Sequence, residues 1–316
     1  MKTLLITRRL PDAVLDAARA RFDVTLRDRT DALTPAELRA ALREFDAVLP
    51  TLGDRFQADV FADVSAPRAR ILANFGVGFN HIDTAAARAH RVMVSNTPGA
   101  VTDATADIAL TLMLMTARRA GEGERMLRAG AWTGWHPVQL LGLPVSGRSL
   151  GIIGMGRIGQ AIARRGHFGF GMSVRFHNRS TVTDLALPAA QVSMDEVLAA
   201  DFVVVAVPGG PNTHYLMNAA AFARMRPDAI FINISRGDVV DEAALIAALQ
   251  SGQIAGAGLD VYEFEPQVPA GLRAMENVTL LPHLGTAALS VRTAMGLMAV
   301  ANLIAWDEGR PLPNPV

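Results

Sequence analysis

The sequence predicts an α/β protein built from two doubly wound parallel-sheet domains. Its 316 residues suit two domains of roughly 150 residues each. Short apolar runs alternate with helical segments in two series, one before residue 98 and one from residue 149. Strands separated by helices pair in parallel, with helices over both faces of the sheet. Half of the residues are hydrophobic and 19% are charged, which is enough for large cores.

The first series contains five predicted strands and at least two helices with recognisable starts. The strands fall at residues 4–6, 24–26, 47–49, 71–73 and 92–94. A helix over residues 11–20 opens with Pro11, which suits a first helical turn. A second helix starts at Thr34, whose hydroxyl lies three residues before Glu37 in a capping-box pattern. Residues 102–116 are almost all small or apolar, which predicts a buried interdomain helix.

The second series contains six predicted strands and five predicted helices. The strands are at 149–153, 173–177, 202–207, 229–234, 255–260 and 278–281, and the helices at 157–168, 194–200, 218–225, 241–250 and 287–306. An irregular segment, residues 130–137, precedes the series and carries two of the three tryptophans, Trp132 and Trp135. It is either a loop packed on its own domain or an arm that reaches a partner subunit, since tryptophan is enriched at interfaces.

Composition excludes several kinds of chemistry. There is no cysteine, so a thiol nucleophile, a disulfide framework and a thiolate metal site are excluded, and we expect no metal. Lys2 is the only lysine, which excludes a Schiff-base lysine in the core and a Walker-A loop.

Charge and hydropathy patterns indicate which partners to expect. Thirty basic and thirty acidic residues give a net charge of zero without a basic stripe, so we expect no nucleic-acid partner. No apolar stretch approaches the roughly 20 residues of a membrane span, and the start has too short an apolar run for a signal peptide. We therefore expect a cytoplasmic protein without a membrane partner.

A glycine-rich turn follows the first strand of the second series. After the apolar run at 149–153 the chain carries a G-x-G-x-x-G pattern and then a helical pattern, its residues being Gly154, Met155, Gly156, Arg157, Ile158 and Gly159. The first glycine permits a tight turn, the second lets the backbone approach a pyrophosphate, and the third allows close packing of helix on strand. The pyrophosphate would lie at the positive end of the helix. This context predicts a dinucleotide site.

The end of the next strand predicts which dinucleotide is bound. A site for NAD usually has an acidic residue about 20 residues after the glycines, bonded to the ribose 2′-hydroxyl. Here the strand ends in Asn178, Arg179 and Ser180, and no acid occurs before Asp184. A guanidinium and a hydroxyl bind a 2′-phosphate by charge-assisted hydrogen bonds. The sequence therefore predicts NADP(H) over NAD(H).

Three polar groups follow later strands of the same series. Arg236 comes after the strand at 229–234, Glu265 follows the strand at 255–260, and His283 ends the strand at 278–281. Open α/β sheets bind ligands at the carboxyl ends of their strands. Together these residues offer a cation for a carboxylate, an imidazole that exchanges a proton and a carboxylate to hold it.

The ordered motifs resemble those of the D-isomer-specific 2-hydroxyacid dehydrogenase family over essentially the whole chain. Besides the glycine loop they are Ser235-Arg236-Gly237-x-x-x-Asp241-Glu242, Asp260-Val261-Tyr262-x-x-Glu265-Pro266 and Pro282-His283-x-Gly285-Thr286, preceded by Asn96-Thr97-Pro98, Thr102 and Thr105-Ala106-Asp107. Within the family, the strand end at Arg179 and the presence of Trp135 are most like NADPH-dependent glyoxylate/hydroxypyruvate reductases.

The resemblance implies a role for each polar group. Arg236 would bind the substrate carboxylate and polarise the 2-carbonyl, because its planar fork suits two oxygens. His283 would donate a proton to the carbonyl oxygen, and Glu265 would hydrogen-bond His283 and favour its protonated form. Backbone donors in residues 75–78, at Val77 and Gly78, would bind the carboxylate from the first domain, and Trp135 would contact the substrate.

The resemblance also implies further contacts to the cofactor. Asp260 would hold the nicotinamide amide, and the remaining cofactor contacts would come from Thr105, Val207, Pro208, Thr213, Ile234, Ser235 and Gly285, together with Arg236 and His283. Asn80 departs from the family, since many relatives have an acid there, and this leaves the preferred substrate open.

The family topology implies a Rossmann coenzyme domain over residues 99–285 and a flavodoxin-like substrate domain over residues 1–98 and 286–316. A cleft would separate them, and the protein would be a homodimer that acts on a small 2-oxo or 2-hydroxy acid. Two alternatives stay open: a reductase of another 2-oxo acid, such as 2-ketogluconate or phenylpyruvate, and a non-catalytic regulator that senses dinucleotides. A formate dehydrogenase is disfavoured because that branch typically has an amide in place of Glu265.

Overall fold

A computed structural model describes all residues, 1–316. The chain forms two compact units, one made of Met1–Val101 with Ala287–Val316 and the other of Thr102–Thr286. Each unit contains one parallel β-sheet, which confirms the predicted α/β class with two parallel-sheet domains.

The sheet of the first unit has five strands in the order β2-β1-β3-β4-β5. These strands are β1 (Thr3–Ile6), β2 (Asp23–Leu26), β3 (Ala47–Leu49), β4 (Ile71–Ala73) and β5 (Met93–Ser95). The helices between them are α1 (Asp12–Arg19), α2 (Pro35–Glu44), α3 (Ala58–Ala62) and α4 (Thr84–Ala89). The order reverses between β1 and β3, as in flavodoxin-like folds.

Both faces of this sheet are covered. Along β3, Ala47 and Leu49 pack into one apolar cluster and Val48 into another, as expected for side chains that alternate between faces. The predicted capping box begins α2, since Thr34 accepts a bond from the Glu37 amide and Glu37 bonds back. Pro11 precedes α1 as its cap and is not its first helical residue.

The sheet of the second unit has seven parallel strands in the order β12-β11-β10-β9-β6-β7-β8. These strands are β6 (Ser149–Ile153), β7 (Ser173–His177), β8 (Ala189–Gln191), β9 (Phe202–Val205), β10 (Ile230–Asn233), β11 (Gly256–Leu259) and β12 (Val278–Leu280). The helices are α5 (Thr102–Ala117), α6 (Ala120–Arg128), α7 (Arg157–Arg164), α8 (Met194–Leu198), α9 (Ala219–Phe222), α10 (Glu242–Gln250) and α11 (Ala270–Arg273). The order reverses between β6 and β9, where open α/β sheets bind nucleotides.

Several predicted elements end differently in the structure. The helix predicted over 157–168 is wrong beyond Arg164, where a π-helical turn, Arg165–Gly169, replaces it. Two glycines weaken the α-helix here, and Gly166 packs so closely on Leu150 that an added Cβ would come within 2.7 Å of it. Strand β8 and helix α6 were not predicted. Strand β8 consists of Ala189, Ala190 and Gln191, which lack the apolar, β-branched pattern of a strand.

A last helix, α12 (Leu289–Asp307), belongs to the first unit and packs on α1 and β4. It is the one helix long and apolar enough to cross a membrane, with a mean hydropathy of 1.4 and 39% of the span buried. This corrects the expectation that no stretch approaches a membrane span. Core helices of soluble proteins pass the same test, and the buried side chains Ala299, Val300 and Leu303 join the apolar cluster of the sheet.

Candidate active site

The polar groups named above follow the carboxyl ends of neighbouring strands in the second unit. Strand β6 leads to the glycine loop, β7 to Asn178, β10 to Arg236, β11 to Asp260 and β12 to His283. Because all these strands are parallel, these ends lie on one edge of the sheet. The site is therefore built on the edge where α/β proteins bind ligands.

The glycine loop has the backbone that a pyrophosphate requires. Gly154 has a φ of +100°, a conformation that favours glycine. An added Cβ at Gly159 would lie 2.1 Å from the Gly154 carbonyl oxygen, whereas one at Gly156 would meet nothing within 4 Å. Gly156 is the N-cap of α7 and supplies no side-chain cap, so the first amides of that helix are available to an anion. The loop fits the diphosphate of a dinucleotide.

The end of β7 lies next to this loop. The Gly154 amide donates to the His177 carbonyl at 2.9 Å, and the Met155 amide donates to Asn178 Oδ1 at 3.3 Å. Asn178 Nδ2 donates in turn to the carbonyl and hydroxyl oxygens of Ser180, at 3.0 and 3.1 Å. Arg179 is exposed and forms no hydrogen bond or ion pair with the protein. The segment after β7 therefore presents an unengaged cation next to the glycine loop.

His283 and Glu265 form a hydrogen-bonded pair. Nδ1 of His283 lies 2.9 Å from Glu265 Oε2, and the side chains are 28% and 30% exposed. The other oxygen of Glu265 accepts the Tyr262 amide at 3.1 Å. Burial raises the pKa of Glu265, but the hydrogen bond and charge of His283, the Tyr262 amide and the charge of Arg236 together lower it. Glu265 is therefore a carboxylate at neutral pH, and Nε2 of His283 stays available to a substrate.

Asp260 organises the turn that presents His283. It is 1% exposed, and its two oxygens accept the amides of Leu284 at 2.6 Å and Gly285 at 2.8 Å. Its carbonyl accepts the His283 amide at 3.0 Å, which supports His283 at a φ of +54°. Burial raises the pKa of Asp260, against these hydrogen bonds and the charge of His283. Thr105 Oγ1 donates to the Gly285 carbonyl at 3.1 Å and so joins α5 to the same turn.

Arg236 lies at the end of β10 on a turn held by Asn233. The Asn233 side-chain amide donates to the Arg236 carbonyl at 2.9 Å, and its oxygen accepts from the amide and the hydroxyl of Ser235, each at 3.0 Å. Burial lowers the pKa of the Arg236 guanidinium, although the charges of Glu265 and Asp238 oppose this. An added Cβ at Gly209 would lie 2.7 Å from Arg236 Cγ, so the backbone after β9 packs on the arginine stem.

Sequence reasoning missed Asn233 and Gly209, which support the backbone and the stem of Arg236. The signal for Asn233 was an amide side chain at the last position of an otherwise apolar strand. The loop after β9 contains the predicted contacts Val207, Pro208 and Thr213. Thr213 Oγ1 closes that loop by donating to the Pro208 carbonyl at 2.7 Å. Ile234 and Ser235 are buried, each 6% exposed.

In the first unit, the loop after β4 exposes two backbone donors. Buried Asn74 donates to the carbonyls of Gly76 and Gly78, each at 3.0 Å, and Asn96 donates to the Val77 carbonyl at 2.8 Å. These bonds fix the turn through its carbonyl groups. The backbone amides of Val77 and Gly78 donate to no protein acceptor and are available to a ligand. Such a turn is suited to a carboxylate.

Trp135 is not joined to the other predicted residues. It lies in the irregular segment after α6, is 78% exposed, and forms no hydrogen bond or ring contact with Arg236, Glu265 or His283. Its neighbour Trp132 donates to Gln139 Oε1 at 3.2 Å. The segment is irregular, as predicted, and its role stays a prediction.

Comparisons with known proteins point in one direction. Residues 110–285 match the model of the D-isomer specific 2-hydroxyacid dehydrogenase, NAD binding domain. A glyoxylate reductase of Thermococcus onnurineus is 41% identical over 320 residues, covering 99% of this chain and 95% of that protein.

Solved structures agree along the full length. The crystal structure of a protein from Thermus thermophilus has a TM-score of 0.92 at 41% identity, covering 99% of each chain. That of an NADPH-dependent glyoxylate/hydroxypyruvate reductase from Sinorhizobium meliloti, in complex with NADP and malonate, has a TM-score of 0.87 at 36% identity, covering 100% of this chain and 96% of that one.

Proposed function

Because the chain belongs to the D-isomer specific 2-hydroxyacid dehydrogenase family, we propose that it reduces glyoxylate or hydroxypyruvate with NADPH and that the product has the D configuration. The observation that carries the proposal is the His283–Glu265 pair at 2.9 Å, on the same sheet edge as Arg236. The glyoxylate reductase from T. onnurineus and the glyoxylate/hydroxypyruvate reductase from S. meliloti support the choice of acid.

The side chains divide the chemistry of carbonyl reduction between them. Arg236 binds the substrate carboxylate through two donors and draws charge from the adjacent carbonyl. His283, oriented by Glu265 at Nδ1, gives the proton on Nε2 to the carbonyl oxygen. The amides of Val77 and Gly78 are proposed as further carboxylate donors. When bound, the reduced nicotinamide supplies the hydride.

The remaining predicted residues are proposed to hold the cofactor. The glycine loop would bind the diphosphate and Arg179 with Ser180 the 2′-phosphate. Asp260 would act mainly through the His283 turn, since backbone amides already occupy both of its oxygens. Thr105, Val207, Pro208, Thr213, Ile234, Ser235 and Gly285 would line the nicotinamide side.

We also propose that the first unit is the substrate domain and that the protein is a homodimer. Exposed apolar side chains in one stretch of the second unit support dimerisation, namely Leu127, Trp132, Trp135, Val138 and Leu141. Sedimentation of the purified protein tests this, and a monomer at micromolar concentration would contradict it.

Steady-state reduction of glyoxylate, hydroxypyruvate, 2-ketogluconate and phenylpyruvate, each with NADPH and NADH, tests the function. We expect the first two acids to have the highest kcat/KM and NADPH to be preferred by at least about tenfold, the effect of one charged hydrogen bond. A preference for the larger acids would overturn the substrate assignment. Inactivity on all four acids would overturn the proposed function itself.

The variant Arg179→Ala tests the cofactor choice. It should raise KM for NADPH about 10- to 100-fold, the effect of losing a charged hydrogen bond, and leave KM for NADH within about twofold. Arg175→Ala is a matched control, because Arg175 is exposed on strand β7, four residues before Arg179. Equal effects of Arg179→Ala on both cofactors would contradict the assignment.

A further inference from the structure

We propose that Gln191, on the edge strand β8, is a positioning residue that holds Arg179 in place for the 2′-phosphate of NADPH. This role rests on the proposed preference for NADPH and names a second residue responsible for it. Gln191 itself would touch neither the cofactor nor the substrate.

The side chain of Gln191 ties together three backbone groups of the segment after β7. Its Nε2 donates to the carbonyl of Asn178 at 3.2 Å and to the carbonyl of Ser180 at 3.1 Å. Its Oε1 accepts the amide of Val182 at 3.0 Å. One exposed glutamine thus satisfies backbone groups on both sides of Arg179, in a segment that has no ladder bonds of its own.

The same segment is held from the opposite side by Asn178. Its Oδ1 accepts the Met155 amide, and its Nδ2 bonds to Ser180. The residues on either side of Arg179 are therefore bound both to the glycine loop and to the sheet edge. Arg179 makes no contact of this kind, so its guanidinium stays available while its backbone is fixed.

The position of Gln191 is set by the sheet. It pairs with Phe176 in the parallel register of β7 and β8. The Val192 amide next to it donates to the Phe176 carbonyl at 2.9 Å. The other two residues of β8 are alanines, and the strand is mostly exposed. It adds little to the core, and its main contribution is to place Gln191 beside this segment.

Fixing this segment before binding matters only when a 2′-phosphate is present. An arginine on a mobile loop must be ordered as it binds, and the cost of ordering lowers affinity. A segment that is already fixed avoids the cost, and the gain appears in NADPH binding. NADH has no phosphate to meet Arg179, so its affinity should not depend on Gln191.

The test is the equilibrium binding of NADPH and NADH, followed by nucleotide fluorescence, in wild type, Gln191→Leu, Arg179→Ala and the double variant. Gln191→Leu should weaken NADPH binding about tenfold, as expected for two or three hydrogen bonds, and change NADH binding less than about twofold. In the Arg179→Ala background the same substitution should weaken NADPH binding by less than about threefold, because Gln191 acts mainly through Arg179 and only Ser180 is left to meet the phosphate.

One other variant separates this role from a structural one. Gln253→Leu is the same change at a half-buried glutamine, whose Nε2 donates to the Met225 carbonyl at 3.3 Å, and it should alter neither cofactor's binding.

The outcomes distinguish the positioning role from the cofactor preference. Equal losses for NADPH and NADH, or a Gln191→Leu effect that stays at about tenfold in the Arg179→Ala background, would overturn the role of Gln191. If Arg179→Ala abolishes the preference for NADPH over NADH and Gln191→Leu leaves it intact, the role of Gln191 is overturned and the role of Arg179 stands. A wild-type protein that binds both cofactors equally would overturn the proposed preference and, with it, the role of Gln191.

Discussion

Removing the carboxylate of Glu265 should slow carbonyl reduction. The pKa of Glu265 is lowered, and this group is therefore a carboxylate across the whole range from about pH 5 to 9. Its hydrogen bond to Nδ1 orients the imidazole of His283, the proposed proton donor. In Glu265→Gln a neutral amide replaces this charged partner, so kcat/KM for glyoxylate should fall.

The structure sets the size of this loss. A hydrogen bond between charged groups contributes about 1.5–3 kcal/mol. The pair is made at 2.9 Å, but both side chains are more than a quarter exposed, and solvent screening favours the lower figure. About 1.5 kcal/mol corresponds to about a tenfold change in rate, so kcat/KM should fall about tenfold in Glu265→Gln.

The assay is glyoxylate reduction with NADPH from pH 5 to pH 9. Glu263→Gln is the matched control, because Glu263 lies two residues away and accepts a bond from Tyr215 at 2.5 Å, with no bond to His283. It should lower kcat/KM by less than about twofold, as expected for a screened charge. An unchanged kcat/KM in Glu265→Gln, or an equal fall in both variants, would refute the role given to Glu265.

Two further predictions concern the glycine loop and the stability of the first unit. Gly159→Ala would bring a Cβ within 2.1 Å of the Gly154 carbonyl, so calorimetric titration should find NADPH binding weakened more than tenfold, and unchanged affinity would contradict the close approach. Hydrogen bonds from Arg68, with those from Thr3, lower the pKa of Asp46 to about 2 from 3.8. The ionised Asp46 therefore stabilises the folded state, fully above pH 3.8 and progressively less as the pH falls towards about 2. Asp46→Asn should therefore reduce the free energy of unfolding by about 1–2 kcal/mol at pH 7, and urea denaturation should find the difference narrowing below pH 4; a difference independent of pH would contradict it.

The sequence was most informative where one residue type has one physical use. Gly154 has a positive φ and Gly159 packs closely on the Gly154 carbonyl. The spacing of the G-x-G-x-x-G motif predicts both features. Strand β9 is a continuous apolar run, and β6 and β10 are apolar but for one terminal residue each, since both faces of a parallel sheet are buried. Elements with weak local signals were missed. Strand β8 has no apolar pattern, and the turn at Arg165–Gly169 depends on the contact of Gly166 with Leu150.

Supporting side chains were the least predictable part of the site. Asn233, Gly209 and Gln191 act on the backbone or on another side chain, so no motif for substrate or cofactor chemistry includes them. Gln191 meets Asn178 only because β8 pairs with β7 in one register. Asp260 was expected to hold the nicotinamide, and only the structure places its two oxygens on the amides of Leu284 and Gly285.

Comparing wild type with His283→Asn tests the central claim most directly. The measurement is kcat/KM for glyoxylate with NADPH, with NADPH affinity determined on the same samples. We expect kcat/KM to fall by about 10²- to 10⁴-fold, the contribution of a positioned proton donor, with NADPH affinity unchanged within about threefold. A variant that keeps kcat/KM within about tenfold of the wild type while binding NADPH normally would contradict the role of His283 as the proton donor.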